Sequence, residues 1–161
     1  MTTLAVTGHM DLTSDSVSLV RAALRSLLTE RLAAGPLTGY SCIAVGSDSL
    51  FAEELLAAGG DLVVVVPSED YRRNVVGPDH AALFDRLSTE AAKVITLPFE
   101  KAGRRAYEAA NQLLLDRADG LVAVWDGQPP TGGGGTGDMV QRATAAGVRV
   151  FRIWPEGTSR S

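Results

Sequence analysis

The chain has 161 residues, 45% of them hydrophobic, and a formal net charge of −4. This is enough for one domain with a real core, too short for two comfortable ones, and too apolar for a disordered chain. The acidic balance argues against a module built on a basic nucleic-acid-binding face. The single cysteine, Cys42, excludes an intrachain disulfide, and no apolar run approaches the ~20 residues of a membrane span.

The first residues carry no basic, hydrophobic leader and enter an apolar run at once, so a cytoplasmic location is expected. Six short runs rich in Val and Ile read as strands: 4–7, 42–45, 62–66, 94–97, 121–125 and 148–153. Their alternation is weak, as suits strands covered on both faces. Helical patterns fill the intervals at 14–34, 49–58, 79–92, 104–117 and 136–147. Thr13 or Ser14 caps the first, and Ser47, Asp48 or Ser49 the second; Gly35-Pro36 and Gly59-Gly60 end them. Strand–helix alternation of this kind predicts a three-layer, doubly wound α/β domain over 1–154, with a mainly parallel Rossmann-like sheet of about six strands. The polar segment 155–161 reads as a short fraying tail.

Ligands of open α/β sheets bind at the carboxyl ends of the strands, so the loops that follow the strands hold the candidate residues. Gly8 turns the chain after the first strand, and His9 behind it is placed either to meet a ligand or to satisfy a carbonyl. Gly46, Ser47 and Asp48 precede a helix, where amides favour an anion, and Asp48 suits a ribose diol. The same residues also serve as plain caps. The stretch 67–74 is long for a βα loop and reads as a flap, with Arg72 and Arg73 on the surface. Arg104, Tyr107 and Asn111 fall at i, i+3 and i+7, sharing one helix face.

After the fifth strand come Trp125, Asp126 and Gly127, then Gly132, Gly133, Gly134, Gly135, Thr136 and Gly137, then a helix. Consecutive glycines lose backbone entropy on ordering, so their use before a helix points to close approach of a ligand. Amides of this segment and the Thr136 hydroxyl suit a phosphate. No GxGxxG follows the first strand and no GK[ST] closes the glycine run, which excludes the dehydrogenase and Walker A signatures. No metal-ligand spacing stands out, and no cofactor or metal is expected.

Together these residues resemble the SLOG superfamily, whose members include LOG (lysine-decarboxylase-like), YpsA-like and DprA-like domains. The resemblance rests on Tyr107 and Asn111, Ala118-Asp119, the run 122–127, the run 134–140 with Asp138 and Met139, Ala143 and 148–153. Thr7-Gly8-His9 and Gly46-Ser47-Asp48 support it upstream. It implies a Rossmann-like sheet, a nucleotide-derived ligand and a homodimer. LOG hydrolases carry a PGGxGTxxE motif whose Glu acts in catalysis together with an upstream Arg. Matching Gly135-Thr136 to that motif puts Met139 at the Glu position, and a thioether does no acid–base work. Asp138, one residue earlier, and Arg105 (or Arg104) are the remaining catalytic candidates.

The expectation is therefore a domain that binds a nucleotide or nucleoside derivative, as a sensor would. Its alternative is an enzyme acting on the N-glycosidic bond of nucleoside monophosphates, as phosphoribohydrolase or deoxyribosyltransferase. Nucleic acid is not the expected partner, because no Lys/Arg cluster stands beyond Arg72-Arg73 and Arg104-Arg105.

Overall fold

The computed structural model describes residues 1–161. Six parallel strands form one sheet: β1 (Thr2–Gly8), β2 (Leu37–Ser41), β3 (Asp61–Val66), β4 (Lys93–Thr96), β5 (Gly120–Val124) and β6 (Arg149–Ile153). Their spatial order is β4-β3-β2-β1-β5-β6. The chain winds outward from β1 to β4, then returns to place β5 on the other side of β1. The carboxyl ends of β1 and β5 are thus the point where winding reverses, and Gly8 there lies level with Val124.

The helices are α1 (Ser14–Ala33), α2 (Ser47–Ala58), α3 (Tyr71–Asn74), α4 (Pro78–Glu90), α5 (Arg104–Arg117) and α6 (Thr136–Ala145). Two apolar cores divide them between the faces. Val20, Leu24 and Leu28 of α1, Phe51 and Leu55 of α2 and Leu87 of α4 pack on Leu4, Val6, Leu62, Val64 and Val122. Ala110, Leu114 and Leu115 of α5 and Met139 and Ala143 of α6 pack on Ala5, Val65 and Leu121 from the other side. The alternation of successive strand residues between the two cores is the period of two expected of a sheet covered twice.

Several expected boundaries are corrected. The second strand lies at Leu37–Ser41, and 42–45 is the loop after it. Gly39 and Ser41 hide this strand from hydropathy. A Cβ on Gly39 would stand 2.4 Å from Leu55 and 2.8 Å from Phe51, so α2 packs directly on bare backbone. The apolar residues at 42–45 have other duties: Ile43 is fully buried in the core, and Cys42 and Ala44 face a cleft. Ile43 holds a positive φ of 47°, unusual for a β-branched residue. Three contacts fix it there: its amide donates to Ser41 Oγ at 3.0 Å, and its carbonyl lies 2.8 Å from His80 Nε2 and accepts from Ser49 Oγ at 3.2 Å.

The stretch 67–74 is pinned, and the expectation of a flap is corrected. Asp70 accepts from Ser68 Oγ at 2.7 Å, from Asn74 at 3.0 Å and from the Ala102 amide at 2.8 Å. Arg72 is bidentate to Asp85 at 2.7 and 2.9 Å, so its charge is committed on the surface.

The segment 155–161 is also corrected, from a fraying tail to a strap over the start of α1. Thr13 donates its amide to the Ser159 carbonyl at 3.1 Å, Ser159 donates its own to Ser16 Oγ at 2.8 Å, and Ser161 donates to the Asp11 carbonyl at 2.7 Å. Arg160 forms an antiparallel bridge with Leu12.

Candidate ligand cleft

A cleft of about 570 Å³ opens at the carboxyl ends of the strands. Its walls come from the loops after β1, β2 and β3, one face of α5 and the start of α6. Gly8, His9, Met10 and Asp11 form one rim, Cys42, Ala44 and Asp48 the floor beside it, and Pro67, Tyr71 and Val75 the far side. Tyr107, Ala110, Asn111 and Leu114 supply the α5 wall; Gly134, Gly135, Thr136 and Arg160 close the mouth. The volume and mixed lining are those of a small-molecule site.

The loop after β1 is shaped by close contact. A Cβ on Gly8 would stand 2.4 Å from Ser47 Cβ and 2.8 Å from Val124 Cβ, so only glycine lets α2 and β5 meet the strand end. Gly46 has φ 87° and is the N-cap of α2, with backbone of His9 and Met10 against its open face. Ser47 is fully buried; its hydroxyl donates to the His9 carbonyl at 2.7 Å, and Ser49 donates to Ala44 at 2.7 Å. The expected side-chain caps at Ser47 and Ser49 are thus corrected: these hydroxyls tie the two loops together. Thr13 likewise makes no cap bond and lies 2.6 Å from Ser16 Oγ.

Asp48 borders the cleft beside Cys42 and Tyr71. Burial pushes its carboxyl up to about 7, against a weaker opposing effect of the Ala44 amide. Burial also pushes the Cys42 thiol and the Tyr71 phenol up, so both stay protonated. Tyr71 stacks edge-on to Tyr107 at 6.4 Å and tilts on Phe84 at 6.0 Å, giving the far wall an aromatic surface.

His9 sits 8% exposed, edge-on to Trp154 at 5.6 Å. The Asp126 amide donates to His9 Nε2 at 3.1 Å, which assigns the proton of the neutral ring to Nδ1. Burial and then the Arg160 charge lower its pKa, outweighing Asp126, whose carboxylate is 3.3 Å away. His9 is a neutral structural pivot between two strand ends.

Arg160 donates from Nε to Asp11 Oδ1 at 2.8 Å, and its Nη1 lies 3.6 Å from Asp126. This bond holds the Asp11 carboxyl below its usual range. Arg160 and His9 also border a second cavity of about 300 Å³, walled by Trp125, Asp126, Gln128 to Gly133 and Gly137.

The structure thus brings Gly8, His9, Asp48, Tyr107, Asn111, Gly134, Gly135 and Thr136 to the cleft, and Trp125, Asp126 and Gly133 to the cavity beside it. Gly46 and Ser47 lie behind the rim. Arg104 pairs with Glu108 at 3.2 Å, with a side chain 84% exposed, and Arg105 is exposed outside the cleft. Asp138 turns back on its own loop, accepting the Gly134 amide at 2.9 Å. Met139 is 1% exposed and belongs to the core. Asp11, Tyr71 and Arg160 were not among the residues the sequence reading selected, although Asp11, three residues beyond Gly8, and Tyr71, within 67–74, lay in loops it singled out.

Fold and cleft together define a doubly wound Rossmann-like domain with its cleft where the winding reverses. No family model and no curated protein matches the chain. Solved structures do. DNA processing protein A from Streptococcus pneumoniae superposes with TM-score 0.71 at 18% identity, over 98% of this chain and 52% of that one. DNA processing protein A from Helicobacter pylori, described for its single-stranded DNA binding mode, gives 0.67 at 15% identity over 99% and 68%. The Moco carrier protein of Chlamydomonas reinhardtii gives 0.54 at 16% identity over 94% and 75%. The chain spans about half the length of the Streptococcus protein. At these identities the likeness shows the fold alone, a doubly wound Rossmann-like one. No helix is long and apolar enough to cross a membrane.

Proposed function

We propose that this domain binds a nucleotide-derived small molecule in the cleft between the β1 loop and α6. The observation that carries the reading is the meeting of three chemistries around one space. The first-turn amides of α6 have no helical acceptor and favour an anion. Asp48 and Asn111 offer polar partners for a sugar, and Tyr71 and Tyr107 an apolar face for a ring.

Binding is favoured over cleavage of the LOG kind. The residue at the LOG glutamate position is Met139, which is buried under β5 and delivers nothing to the cleft. Asp138 is engaged by Gly134, and Arg105 is exposed and does not line the cleft.

A thermal-shift series with AMP, ADP and inorganic phosphate tests the reading. AMP should raise the melting temperature. Gly135→Val should abolish that rise and spare the fold, because nothing lies within 4 Å of a Cβ added there. A rise that survives Gly135→Val would sink the phosphate assignment. Free base should not accumulate during incubation with AMP.

A second reading is favoured by one comparison, the Helicobacter protein with its single-stranded DNA binding mode. Under it the cleft takes one nucleotide of a strand. Binding of an oligothymidylate that weakens steeply with salt would support it; the net charge of −4 weighs against it.

A further inference from the structure

β6 ends the sheet, with β5 on one side and no strand on the other. Trp125 donates its amide to the Ile153 carbonyl at 3.4 Å, so Ile153, Phe151 and Arg149 turn their peptide groups toward β5. Peptide direction alternates along a strand, and those of Val150 and Arg152 therefore point outward. Neither bonds to a loop or to the tail of the chain. These are the free groups of an edge that can accept another strand.

Charge selects that strand. β6 reads Arg-Val-Phe-Arg-Ile, with no acidic residue. Arg149 and, from α1, Arg31 both lie over the Phe151 ring, at 4.4 and 4.6 Å from its centre. The arginines with carboxylate partners are Arg21, Arg25, Arg72, Arg86, Arg104 and Arg160. Arg31 and Arg149 have none, and Arg31 Nε is buried without an acceptor. Asp119, one residue before the Gly120 that pairs with Arg149, gives its carboxylate to the Thr3 amide at 2.9 Å. Ring contact positions the two guanidiniums but leaves their charge for a carboxylate, which arginine grips in bidentate fashion. Exposed Arg152 adds a third positive charge, its Nε held by the Trp125 carbonyl at 3.1 Å.

A second copy of the chain does not suit this edge. The opposite edge strand, β4, reads Lys-Val-Ile-Thr. Pairing β6 with either edge of another copy would join strands whose charges are all positive, and facing like charges destabilise a pair. We infer that the β6 edge docks an acidic, extended segment of a partner protein, added to the sheet as a seventh strand. Its backbone meets Val150 and Arg152, and its carboxylates meet Arg149 and Arg31. This inference does not rest on the nucleotide reading of the cleft.

Calorimetry and amide hydrogen exchange on the full chain test it, with a capped Glu-Val-Glu-Val-Glu-Val peptide, its lysine-for-glutamate counterpart and inorganic pyrophosphate. The acidic peptide should bind and the lysine peptide should not, and bound peptide should slow exchange of the Val150 and Arg152 amides. Arg149→Gln should weaken the acidic peptide about tenfold, as loss of a charge-assisted pair does. Arg152→Pro removes an outward N–H where edge strands tolerate proline and should abolish binding, while Arg152→Ala keeps that N–H and should weaken binding only several-fold. Should Arg152→Pro fail to fold, the exchange of the two amides in the parent chain decides the same point. Binding that leaves both amides unprotected, or that survives Arg149→Gln unchanged, would overturn strand addition. So would binding of pyrophosphate without the acidic peptide, which would make the arginines a small-anion site. Absence of all binding would overturn it too, leaving the arginines as a guard against edge-to-edge aggregation.

Discussion

Arg160 Nε donates to Asp11 Oδ1 at 2.8 Å, joining residues 149 positions apart and carrying the end of the chain to the mouth of the cleft. The pair is roughly 40% exposed on each side. An exposed ion pair contributes only ~0–1 kcal/mol. Arg160→Ala should therefore change unfolding free energy by less than about 1 kcal/mol yet weaken AMP binding about tenfold, as loss of a charge-assisted contact does. Urea denaturation and calorimetry on the same variant check the two halves. A large stability loss with unchanged affinity would make Arg160 a clasp only.

Asp138 occupies the glycine loop from within. Its carboxylate accepts the Gly134 amide at 2.9 Å, two residues before the N-terminus of α6, a helix end that attracts anions. A ligand phosphate approaching Gly134 to Thr136 meets that negative charge. Asp138→Asn keeps an acceptor for the amide and removes the charge. Phosphate-bearing ligands should bind several-fold tighter to it, most clearly at low salt. The fold should lose no more than ~1 kcal/mol from the helix-end interaction. Titrations of AMP at two salt concentrations test this, and unchanged affinity would place the phosphate elsewhere.

Much of this architecture was legible because β3 and β5 are buried on both faces and read as unbroken apolar runs. β2 was not, since Gly39 takes the weight of Phe51 and Leu55 with no side chain of its own. The rule that ligands sit beyond strand ends pointed to Gly8, Asp48 and Gly134 to Thr136, and helix-face spacing to Tyr107 and Asn111; all of them line the cleft. It missed Arg160, which arrives through Ser159 on Ser16 and Ser161 on Asp11, contacts that leave no periodicity. It also read Ser47 as cap or ligand donor, where burial commits the hydroxyl to the His9 carbonyl. Sequence position showed which loops matter, but not which atoms in them were already engaged.

Asp48 and His9 impose opposite pH dependences on the fold. Asp48 is raised to about 7 from 3.8, so the folded protein prefers it protonated. Its contribution is fully present below pH 3.8 and is lost as pH rises toward 7. His9 is lowered from 6.5, so its contribution is present above 6.5 and is lost as pH falls below it. Asp48→Asn should accordingly stabilise the protein at pH ~8 by roughly 1–2 kcal/mol, less than full burial implies because the carboxyl borders a cleft, and by much less at pH ~4. Unfolding free energies across this range check it. A pH-independent effect would show that Asp48 is ionised in the folded chain throughout.

Gly8 and Gly135 line the same cleft under opposite constraints, and alanine at each separates packing from binding. At Gly8 the new methyl would meet Ser47 Cβ at 2.4 Å and Val124 Cβ at 2.8 Å, both held by elements that cannot move independently. β1 is paired to β5 at this level, and Ser47 is bonded to His9. Overpacking of this kind costs about 1–3 kcal/mol. At Gly135 no atom lies within 4 Å, and its φ of −82° suits any residue. Gly8→Ala should therefore lower the denaturation midpoint markedly, while Gly135→Ala leaves it within ~0.5 kcal/mol of the parent. Ligand affinity should fall in the second variant, because the methyl would stand in the mouth of the cleft that Gly135 lines. Equal midpoints for the two variants would show that the β1 loop can shift away from α2, and with it the rim of the cleft.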